Sequence, residues 1–244
     1  MRFFLFVFLL WSMTLSAAPF HNKKIVVFGS SVAMGWGSTN NNQGWAFRLG
    51  NALATKGYTL VNKSIPGNNT QALIGRFERD LLPEKPEICV IALGLGNEGI
   101  AKQSTKEGKD SVYNHFVNGI NTLIAMCKKA GIIPVVTGCY PANIFNADDY
   151  AFVKKFNAMM KNSGTPFIDL LEAVDDGSGH FKEGMYHDAL HPNDAGHEAM
   201  FQGIPLGIFD TLDDGLQKQS AFLKGGDRKN LSGNYVAACV RVCK

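Results

Sequence analysis

From Lys24 onward the sequence alternates two kinds of apolar pattern, and this alternation limits the fold more than any other feature. Short runs rich in β-branched residues at 24–28, 58–61, 88–93, 132–137 and 167–170 read as strands. Between them lie segments with apolar residues at helical spacing: 45–56 (Trp45, Leu49, Leu53), 70–82 (Leu73, Phe77, Leu81), 110–130, 148–162 and 193–203. Gly57 and Gly131 follow two of these and supply stop signals. Strand and helix in strict alternation imply parallel strands joined by crossover helices. Strands that are apolar throughout imply helices on both faces. The expected fold is α/β: a three-layer α/β/α, flavodoxin-like sandwich with a parallel sheet of about five strands. Such sheets bind ligands beyond the carboxyl ends of their strands, which is where chemistry should be sought.

At 244 residues the chain can bury one sizeable core and does not require two full domains. A net charge of +3, with Lys and Arg scattered apart from pairs such as Lys23-Lys24 and Lys128-Lys129, gives no basic surface of the kind nucleic acid needs. No nucleic-acid partner is expected. Arg2, the uninterrupted apolar run 3–10 and the small residues Ser16-Ala17-Ala18 read as a signal peptide over residues 1–18. The apolar run is short for a bilayer span, so an uncleaved anchor is the lesser alternative. A secreted or periplasmic protein is expected, with no stable membrane span once the signal is removed. Pro19 disfavours a cut directly before it, leaving Ser16 or Ala17 as other cleavage points. A single domain is expected over 19–213, followed by a linker and tail over 214–244. The latter contains the polar stretch 224–230 and a short apolar stretch, 235–242. The five cysteines are an odd number, so at least one thiol stays unpaired within a monomer. Cys89 and Cys139 lie in strand-like runs and read as core residues, whereas Cys239 and Cys243 stand near the chain end. None has zinc-ligand spacing. Asn62, Asn68 and Asn230 begin Asn-x-Ser/Thr sequences that imply nothing about origin.

The strand ends carry the residues of interest. The first runs into Gly29-Ser30-Ser31-Val32, two serines at a turn where glycine permits close approach. The second ends at Ser64-Ile65-Pro66-Gly67-Asn68-Asn69-Thr70, and the third at Gly94-Leu95-Gly96-Asn97-Glu98-Gly99. A glycine amide and an asparagine side chain are the donors that an oxyanion hole requires. Far downstream, Tyr186-His187-Asp188-Ala189-Leu190-His191-Pro192 spaces a carboxylate three residues from an imidazole. In a tight loop that spacing brings the carboxylate to Nδ1, leaving Nε2 to take a serine proton.

In this order, Gly29-Ser30-Ser31-Val32, Gly67, Asn97 and Asp188-Ala189-Leu190-His191-Pro192 resemble the blocks of the SGNH hydrolases, also called GDSL esterases/lipases. The resemblance spans about residues 24–205. It implies a catalytic set of Ser31 as nucleophile, His191 as base and Asp188 as its orienting acid. It further implies an oxyanion hole formed by the Ser31 and Gly67 amides and the Asn97 side chain. The activity implied is hydrolysis of carboxylic esters, small-molecule or carbohydrate, with no cofactor and no metal. Short acyl chains or acetylated sugars are favoured because few long insertions interrupt the core. The sequence departs from the family pattern at Ser30, where an Asp is usual, and at Glu98, where an Asp usually follows the Asn. Ser30 is therefore a rival nucleophile, although the Gly-x-Ser-Val register favours Ser31. Asp194-Ala195-Gly196-His197 repeats the Asp-x-x-His spacing, but it falls within the expected last helix and lacks the following proline. Two other classes compete. One is a non-catalytic carbohydrate- or cell-surface-binding module on a degenerate hydrolase fold. The other is a flavodoxin-like nucleotide binder, which the first loop disfavours because it lacks a phosphate-binding lysine and a full Gly-x-Gly-x-x-Gly pattern.

Overall fold

The computed structural model describes residues 23–40 and 43–224, with side chains to residue 215. The signal-peptide expectation and the apolar stretch 235–242 lie outside the described residues. Five strands, β1 (Lys24–Gly29), β2 (Thr59–Asn62), β3 (Ile88–Ala92), β4 (Ile133–Thr137) and β5 (Phe167–Ile168), form one sheet in the order β2-β1-β3-β4-β5. Every pairing is parallel, with Val27 beside Val90 and Ile91 beside Val136. The strand order reverses between β1 and β3, so the topological switch point lies at their carboxyl ends.

Alternate residues of each strand serve the two faces. Val26, Phe28, Cys89, Ile91 and Val136 pack with α3 (Thr70–Arg76), α5 (Lys106–Lys129) and α6 (Ala147–Lys161), through Leu73, Phe116, Ile120, Val153 and Phe156. Ile25, Val27, Ile88, Val90 and Val135 pack with α1 (Ser31–Met34), α2 (Trp45–Ala54), α7 (Leu171–Val174), α8 (Asp194–Gln202) and α9 (Gly207–Lys224). The remaining short helix, α4 (Leu95–Glu98), follows β3. The three-layer sandwich is thus the observed fold. Cys89, Cys127 and Cys139 are buried free thiols, and burial pushes the Cys89 thiol up. Among the described residues, no helix is long and apolar enough to cross a membrane.

Three elements differ from the sequence reading. The helix expected over 70–82 is α-helical only to Arg76 and continues as a π-helical turn, Phe77–Leu81, because apolar spacing does not distinguish the two ladders. Helix α5 begins at Lys106, where the Thr105 side chain accepts from the Gly108 N–H at 3.1 Å. Its polar first turn carries no apolar period to reveal it. The linker expected from residue 214 is helical as far as Lys224, since α9 continues through that boundary. Phe209 is buried on this helix, and Tyr58 donates to the Phe209 carbonyl at 3.1 Å.

Candidate active site

Ser31 opens α1 at the carboxyl end of β1, so its N–H belongs to the first helical turn, where it has no intrahelical acceptor. The residue is 8 % exposed, and its Oγ lies 3.0 Å from His191 Nε2. His191 Nδ1 lies 2.9 Å from both Asp188 carboxylate oxygens. The carboxylate can only accept, so Nδ1 carries the proton and Nε2 accepts from the serine hydroxyl. Asp188 Oδ1 also accepts from the backbone N–H groups of Leu190, at 2.8 Å, and His191, at 2.9 Å. This turn explains the three-residue spacing, because the aspartate folds back over its own loop to reach the ring. Burial works to raise the Asp188 carboxyl, but the Leu190 N–H and the His191 ring outweigh it and hold the group below the usual carboxylate range. The loop approaches α1 closely. Pro192 O passes where a Cβ on Gly37 would stand, 2.2 Å away, and Gly37 adopts a φ of +92. Trp36 is exposed, with its ring centroid 6.0 Å from that of His191.

Gly67 lies in the loop after β2 at a φ of +76, which a side chain would strain. The Asn68 N–H donates to Ile65 O at 3.2 Å, and the Ile65 N–H donates to Gly29 O at 3.1 Å, holding this loop against the end of β1. Asn97 lies on α4, where its Oδ1 accepts from the Gly94 N–H at 3.3 Å and from the Ser30 hydroxyl at 3.1 Å. A backbone N–H can only donate, which fixes the oxygen end of the amide and turns its NH2 group the other way. Ser30 is fully buried and its hydroxyl is committed to Asn97 rather than to His191.

The three strand-end loops are tied pairwise. Ser30 to Asn97 joins the ends of β1 and β3. Glu98 Oε1 accepts from the Thr70 N–H at 2.6 Å, joining β3 to the loop after β2. Arg76 joins that loop to β1: Nε donates to Asn68 Oδ1 at 2.7 Å, Nη2 donates to Gly29 O at 3.4 Å, and the guanidinium lies 4.0 Å from the centroid of the Phe28 ring. Burial lowers the Arg76 pKa and Asp80 pulls it back. Sequence reasoning singled out neither Arg76 nor Tyr140, whose ring lies against Gly94 beyond the end of β4. Both act across strands, and no local motif marks them.

The second Asp-x-x-His set has another role. His197 is fully buried in α8, where its Nδ1 accepts from the Trp45 N–H at 3.4 Å and its Nε2 donates to Trp36 O at 3.0 Å. Desolvation lowers its pKa to about 4. Asp194 accepts from the Thr39 N–H at 2.8 Å and from the Thr39 hydroxyl. Trp45, like His197, is part of the core.

Two loops wall the site. The loop between β4 and α6 and the long loop between α7 and α8 are cross-linked by Asn143 N to Ala189 O at 2.8 Å, Phe181 N to Asn143 Oδ1 at 2.8 Å and Ala142 N to Gly179 O at 3.0 Å. Trp36, Ile65, Ile144 and Leu190 are exposed on the loops around Ser31. A separate open groove of about 590 Å³ runs between α2 and edge strand β2, past Phe47 and Leu60, and none of Ser31, Gly67, Asn97, Asp188 or His191 lines it.

A family model described as the GDSL-like Lipase/Acylhydrolase family matches residues 27–199. Esterase TesA of Pseudomonas aeruginosa is 27% identical over 187 residues, covering 74% of this chain and 85% of that protein. Among solved structures, the psychrotrophic esterase EstA from Pseudoalteromonas sp. is similar at a TM-score of 0.58 and 18% identity, over 80% of this chain and 99% of that chain. A catalytic mutant of Axe2, an acetylxylan esterase from Geobacillus stearothermophilus, is similar at a TM-score of 0.58 and 16% identity, over 74% of this chain and 91% of that chain. At these identities the two structures speak to the fold.

Proposed function

Because this chain belongs to the GDSL-like lipase/acylhydrolase family and is a carboxylic ester hydrolase, we propose that it is an exported serine esterase working through an acyl-Ser31 intermediate. The observation that carries this reading is the continuous chain from Ser31 Oγ to His191 Nε2, at 3.0 Å, and from His191 Nδ1 to Asp188, at 2.9 Å. Ser31 Oγ attacks the ester carbonyl carbon while His191 Nε2 takes the hydroxyl proton. The carbonyl π electrons move onto oxygen, and the Ser31 N–H, the Gly67 N–H and the Asn97 NH2 group stabilise that charge. Asp188 keeps the imidazole in the required tautomer and stabilises the imidazolium. Collapse of the intermediate breaks the bond to the alcohol, which leaves with the proton from Nε2. Water then loses a proton to Nε2, attacks the acyl-serine, and the acid departs as Ser31 regains its hydrogen.

Esters with short acyl groups, acetylated carbohydrates among them, are the proposed substrates. Trp36, Ile65, Ile144 and Leu190 offer apolar surface at the mouth of the site for a small acyl or alcohol group. The reading as a non-catalytic binding module drew its support from the altered third block. Glu98 there is engaged in holding Thr70, beside an Asn97 whose amide is anchored. Assay of the purified protein on p-nitrophenyl esters from acetyl to octanoyl, and on acetylated xylo-oligosaccharides, tests the proposal. The expected result is a kcat/KM highest for acetyl to butyryl esters and abolished by Ser31→Ala. A preference for octanoyl would overturn the substrate reading, and turnover surviving in Ser31→Ala would overturn the mechanism. Export rests on Arg2, the apolar run 3–10 and Ser16-Ala17-Ala18. Amino-terminal sequencing of secreted protein should begin near residues 17–19, and a start at Met1 would count against it.

A further inference from the structure

Behind Asn97 stands a fully buried hydroxyl, Ser30, that the mechanism above leaves without a part. The Ser30 hydroxyl donates to Asn97 Oδ1 at 3.1 Å. An amide oxygen has no proton to give, so the single Ser30 proton belongs to the bond with Asn97. The bond joins two neighbouring strand ends, Ser30 beyond β1 and Asn97 beyond β3, and the Tyr140 ring beyond β4 packs against the same segment at Gly94. The fit is close, because a Cβ on Gly94 would stand 3.1 Å from Tyr140 Cζ.

We propose that Ser30 is a positioning residue of the oxyanion hole, its hydroxyl locking the Asn97 amide with the NH2 group toward the substrate oxygen. The proposal rests on the serine-esterase reading of Ser31, Gly67 and Asn97. An asparagine amide turned by half a rotation would present its oxygen to the oxyanion and repel it. Two donors on Oδ1, the Gly94 N–H and the Ser30 hydroxyl, oppose that turn. Each bond also polarises the next, so a donor on the carbonyl end makes the NH2 end a better donor. Ser30 touches no reacting atom and acts through Asn97 alone.

A double-mutant cycle on p-nitrophenyl acetate hydrolysis tests this. Ser30→Ala is expected to lower kcat about tenfold with KM changed less than about twofold. The affinity for a boronic acid, which mimics the tetrahedral intermediate, should fall by the same factor as kcat/KM, and Ser30→Thr should restore most of both. In an Asn97→Ala background, itself slower by about 10²-fold, Ser30→Ala should have almost no further effect. An undiminished loss in that background, or an unchanged kcat in Ser30→Ala, overturns the proposal. Should Ser30→Ala fail to fold by circular dichroism, Ser30→Cys, which keeps the bulk but replaces the hydroxyl by a weak donor, alone and with Asn97→Ala supplies the same comparison. A wild-type protein inactive on every ester defeats the esterase reading and this proposal with it. An active wild type with additive effects defeats this proposal only.

Discussion

At the scale of single residues, the site distinguishes between two serines and between two histidines. A fluorophosphonate probe is expected to label Ser31, whose Oγ meets His191, and to leave Ser30 unmodified. Peptide mass spectrometry locates the adduct, and an adduct on Ser30 would shift the nucleophile by one position. His191→Ala should cost at least about 10³-fold in kcat, and Asp188→Asn on the order of 10³–10⁴ with KM little changed, because the first removes the base and the second its tautomer and charge. His197→Ala should leave the folded enzyme's kcat within about threefold of the wild type. The same buried histidine makes stability depend on pH. Its ionisation is lowered from 6.5 to about 4, so between those values the unfolded chain binds a proton that the native chain refuses. Stability from this residue is complete above pH 6.5 and is lost as pH falls toward 4, by about 3 kcal/mol in total. Urea titrations at pH 7 and pH 4 measure the difference, and His197→Gln should flatten it.

Among the elements, α3 and α9 illustrate what apolar spacing can and cannot reveal. Leu73, Phe77 and Leu81 announce a helix, and all three are buried, but the widening into a π-helical turn at Phe77 leaves no trace in their spacing. The last α-helical residue before that turn is Arg76, which braces the loop bearing Gly67. Arg76→Gln leaves Gly29 O and Asn68 with weakened partners at a buried site, and is expected to cost about 2–3 kcal/mol in urea unfolding and to lower kcat. The part of α9 beyond residue 214 escaped notice because it leads into the polar stretch 224–230, which has the look of a linker. Two acids of this helix are paired, Asp210 with Lys56 at 2.6 Å and Asp213 with Lys23 at 3.1 Å. Burial first, then the acids Asp213 and Asp210, push the Tyr58 hydroxyl up to about 12. Phe209→Ala should destabilise the fold by about 3–4 kcal/mol in urea unfolding.

For the molecule as a whole, the layer architecture was legible because buried parallel strands and amphipathic crossovers have different periods. The candidate site residues could be singled out because each follows the carboxyl end of a strand: Ser31 at the start of α1 after β1, Gly67 in the loop after β2, Asn97 on α4 after β3. The role of Arg76, and what Glu98 holds, could not, since both depend on partners elsewhere in the chain. The hydrogen bond between Ser31 and His191 joins residues 160 positions apart. It cannot form until β3, β4 and β5 have been added and the loop before α8 has settled against Gly37. On the proposed mechanism a ribosome-bound chain therefore holds a serine without a base. On that reading hydrolytic competence arrives late in synthesis, after most of the polypeptide has folded, and a fragment ending before His191 is expected to be inert toward esters however well its sheet is formed.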